Sequence, residues 1–199
     1  MSTPHLVYTL HIRIADIEPP IWRRIAVGGD TSLRALHQVI QAAFGWEDCH
    51  LHEFRIDDAR YGQPDVDGVV QGVFGSAKQI VDDRVTQLDG LLGVDQLFTY
   101  EYDFGDSWEH EITVEAVEER AAAMPAAEVI DGARACPPED VGGSWRYNDI
   151  VAALTSDPQG EEAADFIEWM GASFDPELFD LREANAAVGR LARKGRGAK

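Results

Sequence analysis

Residues 100–115 read Tyr-Glu-Tyr-Asp-Phe-Gly-Asp-Ser-Trp-Glu-His-Glu-Ile-Thr-Val-Glu. Alternating apolar and polar residues on both sides of a short break are the pattern of two half-buried strands. Leu97 to Phe104 and Trp108 to Val117 are therefore expected to pair as a β-hairpin, with a tight turn at Gly105. The turn carries Asp103 and Asp106, and His110 follows on the second strand. Groups able to bind a metal or move a proton are thus set beside Tyr100, Tyr102, Phe104 and Trp108.

Outward from this hairpin the same period recurs. Leu6, Tyr8, Leu10, Ile12 and Ile14 alternate with polar neighbours and predict a first strand, broken at Glu18-Pro19-Pro20 because proline cannot donate to a ladder. Ile21 to Val27 reads as a second strand and Gly28-Gly29-Asp30 as a turn. Thr31 or Ser32 can then cap a helix whose Leu33, Leu36, His37, Ile40, Ala43 and Phe44 share one face. Gly45 suits the left-handed residue that ends such a helix. His50 to Ile56 alternates again. Residues 65–85 are glycine-rich without a clear period and read as a mobile loop; Leu88 to Leu92 reads as one helical turn. Ala121 to Ala135 has no clear period.

The last third reads as helical: Asn148 to Leu154, Glu161 to Met170, and a helix after Asp180, with Asp180 and Glu183 spaced as a capping box. Asp175-Pro176 resembles another helix start. Strands first and helices mostly last favour an α+β fold over repeated βαβ units. The expectation is a single domain over 1–199, mainly an antiparallel sheet covered by helices, with a basic tail at 190–199.

The chain has 199 residues, with 36 Asp+Glu against 17 Lys+Arg, a formal charge of −19. Such a field repels a phosphate backbone, so nucleic acid is disfavoured as a partner unless Arg23, Arg24 and the basic tail line one face. No apolar run approaches the roughly 20 residues of a membrane helix. Met1-Ser2-Thr3-Pro4-His5 lacks the basic-then-apolar pattern of a secretory signal, and a cytoplasmic location is expected. Cys49 and Cys136 are then expected as free thiols.

The strand from Tyr8 to Ile14 is followed by Pro20-Ile21-Trp22-Arg23-Arg24, then by Leu36 to Trp46 and His50-Leu51-His52-Glu53-Phe54. Tyr102 to Trp108, His110, Cys136 to Gly143, Trp169, Phe174-Asp175-Pro176 and Asn185 complete the pattern. From about residue 6 to 188 this resembles a bacterial and archaeal family first named after a Ri-plasmid open reading frame, the open-reading-frame-three-like proteins. Its members are also labelled TnpR-type passenger proteins of insertion elements. The resemblance implies a compact α+β domain found in mobile-element, plasmid and chromosomal settings, and no particular activity. Nothing here resembles a serine recombinase, so the label speaks of genomic context rather than chemistry.

Two constellations carry chemistry. His50 and His52, two apart on a strand, would point to one face about 6.5 Å apart. With Glu139 and Asp140, which precede the flexible Gly142-Gly143, they are candidate ligands of a divalent metal such as zinc. Alternatively they are core-edge histidines, since Phe54 and Ile56 share their face. His110 is a candidate base oriented by Asp103 or Asp106, or else a core residue beside Trp108 and Ile112. Trp22, Arg23, Arg24, Tyr102 and Trp108 are candidate surface residues.

Two functions follow. The first is a binding module that meets a protein partner through an aromatic–acidic surface around Tyr102, Asp103, Asp106, Trp108 and Glu139. The second is a metal-dependent, hydrolase-like enzyme using His50, His52 and His110 with Asp103 or Glu139.

Overall fold

A computed structural model describes residues 5–64, 80–120 and 127–194. Its strands are β1 (His5–Ile14), β2 (Trp22–Gly28), β3 (His52–Ile56), β4 (Ala59–Gly62), β5 (Ile80–Asp82), β6 (Leu97–Tyr102), β7 (Trp108–Arg120) and β8 (Ala127–Ala133). They form one sheet in the order β5-β4-β3-β6-β7-β1-β2-β8, antiparallel except for the β4–β5 pair. The helices are α1 (Leu33–Phe44), α2 (Gly143–Ser156), α3 (Glu161–Met170) and α4 (Leu181–Lys194). The α+β expectation, with a mainly antiparallel sheet and a helical C-terminal third, holds.

The expected hairpin forms as β6–β7, with Tyr102 opposite Trp108. Its turn spans 104–107 and includes Gly105, as expected, but Gly105 is not its left-handed residue. Asp103 (φ 55°) and Ser107 (φ 54°) take the left-handed conformation instead, and Gly105 N–H donates to Asp103 Oδ1 at 2.9 Å. A short carboxylate that bonds nearby backbone tolerates this region better than most side chains.

The period of two sorts each strand. Tyr8, Leu10, Ile12 and Ile14 of β1 meet Trp108, Ile112 and Val114 of β7 in one core, closed by Leu33, Leu36, Ile40 and Phe44 of α1. Helix α1 starts at Ser32, whose Oγ accepts from Ala35 N–H at 3.2 Å, and stops at Gly45 with φ 99°. The opposite face is charged: Arg55 bonds Glu53, Glu101 and Glu109, and Arg60 holds Glu53 from the other side at 2.6 Å.

Several expectations are corrected. Ile80 to Asp82, inside the predicted 65–85 loop, pairs with β4 as a parallel edge strand; 65–79 lies outside the described residues. Ala127 to Ala133 is the other edge strand, not irregular chain. Asp175-Pro176 starts only a turn, whereas Asp180 Oδ1 does accept from Arg182 and Glu183 N–H, at 2.8 and 3.1 Å. The expected basic tail overlaps α4 up to Lys194, and 195–199 lies outside the described residues. Among the described residues no helix is long and apolar enough to cross a membrane.

Candidate metal centre

Three loops gather beside one another: residues 45–51 between α1 and β3, the 103–107 turn, and residues 134–142 between β8 and α2. Their backbones are stitched together. Asp103 N–H donates to Leu51 O at 3.0 Å, Trp46 Nε1 to Pro137 O at 3.0 Å, and Gly142 N–H to Asp106 Oδ2 at 2.9 Å. Four of their non-glycine residues, Asp48, Asp103, Ser107 and Asp140, have φ of 54–55°. Sparsely populated backbone of this kind costs of order 1 kcal/mol per residue and persists only where surrounding contacts over-determine it.

The chemistry converges on His50. Its Nε2 lies 3.1 Å from Asp140 Oδ1, 3.7 Å from Asp103 Oδ2 and 3.9 Å from Glu139 Oε2. None of these contacts has hydrogen-bond geometry, and both His50 Nε2 and Glu139 Oε2 are shielded from solvent without a bonding partner among the described residues. Two overlapping ligand sets result, His50–Asp103–Asp140 and Cys49–His50–Glu139, each with its donor atoms within 4.8 Å of one another. The other Glu139 oxygen is fixed by Glu47 N–H at 2.8 Å and Tyr102 OH at 3.0 Å. Tyr102 OH accepts in turn from Cys49 N–H at 3.1 Å. Burial raises the Tyr102 phenol's pKa, so it remains a donor to Glu139.

His52 stands apart from this group. Strand pairing begins at His52, opposite Tyr102, so the alternation that would have put His50 on the same face does not reach it. His52 Nε2 meets Asp83 Oδ2 at 2.8 Å, and its ring stacks on His37 with centroids 3.6 Å apart. His37 bridges Asp48 at 2.6 Å and Tyr100 OH at 2.8 Å. Burial, then the neighbouring His52, push the His37 pKa down to about 4.

His110 is not brought to the group either. It is fully buried, bonded through Nδ1 to Trp108 O at 3.0 Å, and edge-on to Phe44 and Trp46. Burial lowers its pKa to about 4. Asp106 serves the backbone of Gly142 rather than a histidine.

Of the expected surface residues, Tyr102 and Trp108 are 0% and 1% exposed. Arg23 is buried too, donating to the carbonyls of Trp22, Ala43, Ala133 and Arg134 between the rings of Phe44 and Phe179. Trp22 stacks on His11, and Arg24 makes a bidentate pair with Glu115. Cys49, expected only as a free thiol, is the one member of the group that the sequence pattern did not single out.

The matches to known proteins agree with this architecture and carry no activity with them. The chain is 36% identical over 192 residues to an uncharacterised protein of Sinorhizobium fredii, covering 94% of this chain and 93% of that one. A crystal structure of a protein of unknown function from Methanosarcina mazei Go1 superposes with a TM-score of 0.79 at 33% identity, covering 91% of this chain and 97% of the other. The family of plasmid pRiA4b ORF-3-like proteins matches residues 6–183. Across nearly its whole length, then, this chain belongs to the plasmid pRiA4b ORF-3-like family.

Proposed function

We propose that this protein holds a divalent metal with His50, Asp103, Glu139 and Asp140, Cys49 standing by as a further donor, and that the site serves metal-dependent hydrolysis. The observation that carries the reading is the pair of shielded, unpartnered atoms, His50 Nε2 and Glu139 Oε2, facing two more carboxylates. Burying polar atoms without partners costs about 1–3 kcal/mol each, and clustering carboxylates in a chain of charge −19 adds repulsion. A cation relieves both costs. One imidazole with several carboxylates suits zinc or manganese.

A divalent ion there would polarise a substrate oxygen and make water a stronger nucleophile near neutral pH. The chain's own part is then to orient and to take protons. Tyr102 OH and Glu47 N–H fix one Glu139 oxygen, leaving Oε2 to face the site, while the more exposed Asp140 can exchange a proton with solvent.

The test is elemental analysis of tag-free protein purified without chelators, beside His50→Ala and Asp103→Asn. Near-stoichiometric metal in the wild type, lost in both variants, is expected. A wild type that neither carries metal nor takes up zinc or manganese overturns the proposal.

A protein-binding module is the second reading. The observation favouring it is the exposure of Trp145 (84%) and Trp169 (55%), rather than the buried Tyr102 and Trp108. The TnpR-type, mobile-element association belongs with these proposals as a statement of genomic setting. Ser107, the serine beside the site, donates to Glu101, and Arg23 and Arg24 are committed to carbonyls and to Glu115. A cytoplasmic location is proposed on the free thiols of Cys49 and Cys136.

A further inference from the structure

Two of the proposed metal donors, Cys49 and His50, also line a larger pocket. Cys49, His50 and Leu51 line a cavity of about 480 Å³ that continues past His52 and Arg34 to Gln63, Ile80 and Phe104. A volume of that order accommodates a small molecule. Its walls mix a cation with exposed apolar side chains, Leu51 and Phe104 being 65% and 46% accessible.

Arg34 is the unusual member. Acids outnumber bases by 36 to 17 in this chain, and most arginines on the sheet are bonded to carboxylates. Arg34 makes no ion pair among the described residues. Its guanidinium is held by two neutral acceptors, Gln63 Oε1 at 2.7 Å and His52 Nδ1 at 3.4 Å. The second contact follows from the buried pair behind it. Asp83, with no exposed side-chain surface, accepts from His52 Nε2–H, which leaves Nδ1 as a lone pair turned toward Arg34. Asp48 lies on the same wall, with its Oδ1 taken up by His37 at 2.6 Å. The chain Asp83–His52–Arg34 therefore orients a guanidinium that makes no direct ion pair among the described residues, an arrangement suited to an oxyanion.

We infer that this pocket binds a small molecule with an anionic head, carboxylate or phosphate, on Arg34 and an apolar body against Leu51, Ile80 and Phe104. This names the substrate class of the site proposed above and rests on that reading for its chemistry; the anion contact itself needs only Arg34. Bound so, the ligand lies beside Cys49 and His50, where the metal would act on it.

The test measures the metal content of full-length protein as purified, then strips it with chelator and adds three probes: phenyl phosphate, phenylacetate and neutral benzyl alcohol, followed by titration calorimetry with inorganic phosphate as competitor. One or both anions are expected to bind wild type, the stronger revealing which head is preferred, with benzyl alcohol at least tenfold weaker. Arg34→Gln is expected to lose tenfold or more for the anion while keeping its metal content and unfolding midpoint. Arg34→Lys, which keeps the charge, is expected to fall between, and it stands in should Arg34→Gln not fold. Failure of both anions to bind wild type, or equal binding by the wild type and the folded Arg34 variants, overturns the inference. Failure of the metal proposal reads out separately, as unchanged metal content in His50→Ala with anion binding intact.

Discussion

Gly143 has φ 79°, and a Cβ added there would sit 2.7 Å from the backbone oxygen of Asp106. Two costs therefore coincide where the 134–142 loop leans on the hairpin turn. Gly45 separates them, since its φ is 99° but nothing lies within 4 Å of an added Cβ. Gly45→Ala is expected to cost about 1–2 kcal/mol, the ordinary price of a left-handed side chain. Gly143→Ala should cost more and also displace Asp106 from Gly142, loosening the loop that carries Glu139 and Asp140. Chemical denaturation of both variants with parallel zinc titrations checks this. Equal losses of stability, with metal affinity unchanged in both, would show that the contact with Asp106 does not position the site. At this scale the sequence was partly legible: Asp103, Glu139, Asp140 and His50 could all be singled out. His52 was misplaced because a period-two argument holds only inside a strand, and β3 starts one residue after Leu51.

Element by element, the least visible feature in sequence was the pair of edge strands. Strand β8 has the burial pattern of a half-covered edge, and helix α4 secures it. Asn185 Oδ1 accepts from Val129 N–H at 3.0 Å while its Nδ2 donates to Val129 O at 2.8 Å. The side chain thus mimics a neighbouring strand at one buried residue. Asn185→Ala is expected to destabilise the fold by about 1–3 kcal/mol, the cost of leaving buried backbone groups unpaired. Asn185→Asp should not rescue it, because a carboxylate can accept from the N–H but cannot donate to the carbonyl. Hydrogen exchange at Val129 rising in Asn185→Ala, with a lowered unfolding midpoint in both variants, is the readout; protection unchanged in Asn185→Ala would refute the role. Helix α1 was legible because its cap, apolar face and terminal glycine are all local, whereas β5 and β8 exist only because a partner strand lies beside them.

For the molecule as a whole, two buried histidines set a pH dependence. Burial holds both His37 and His110 near a pKa of about 4, against about 6.5 in an unfolded chain. Between those values the unfolded state binds more protons than the native one, so stability is present above about pH 6.5 and is lost as the pH falls toward 4. His110→Phe removes one of the two groups. The stability difference between wild type and variant should therefore move against the wild type on acidification, by up to about 1.4 kcal/mol per pH unit inside that window. Denaturation midpoints at several pH values measure it, and a difference that does not vary with pH would show that His110 titrates normally. Sequence by itself determined the α+β class, the central hairpin and α1, because hydrophobic period, caps and turn residues act over a few neighbours. Tertiary structure alone decided that His50 rather than His52 meets Asp103, Glu139 and Asp140, that Tyr102, Trp108 and Arg23 are interior, and that Arg34 faces a pocket without an ion pair among the described residues. Those outcomes depend on which loops three distant segments bring together and on what surrounds each group once it is buried.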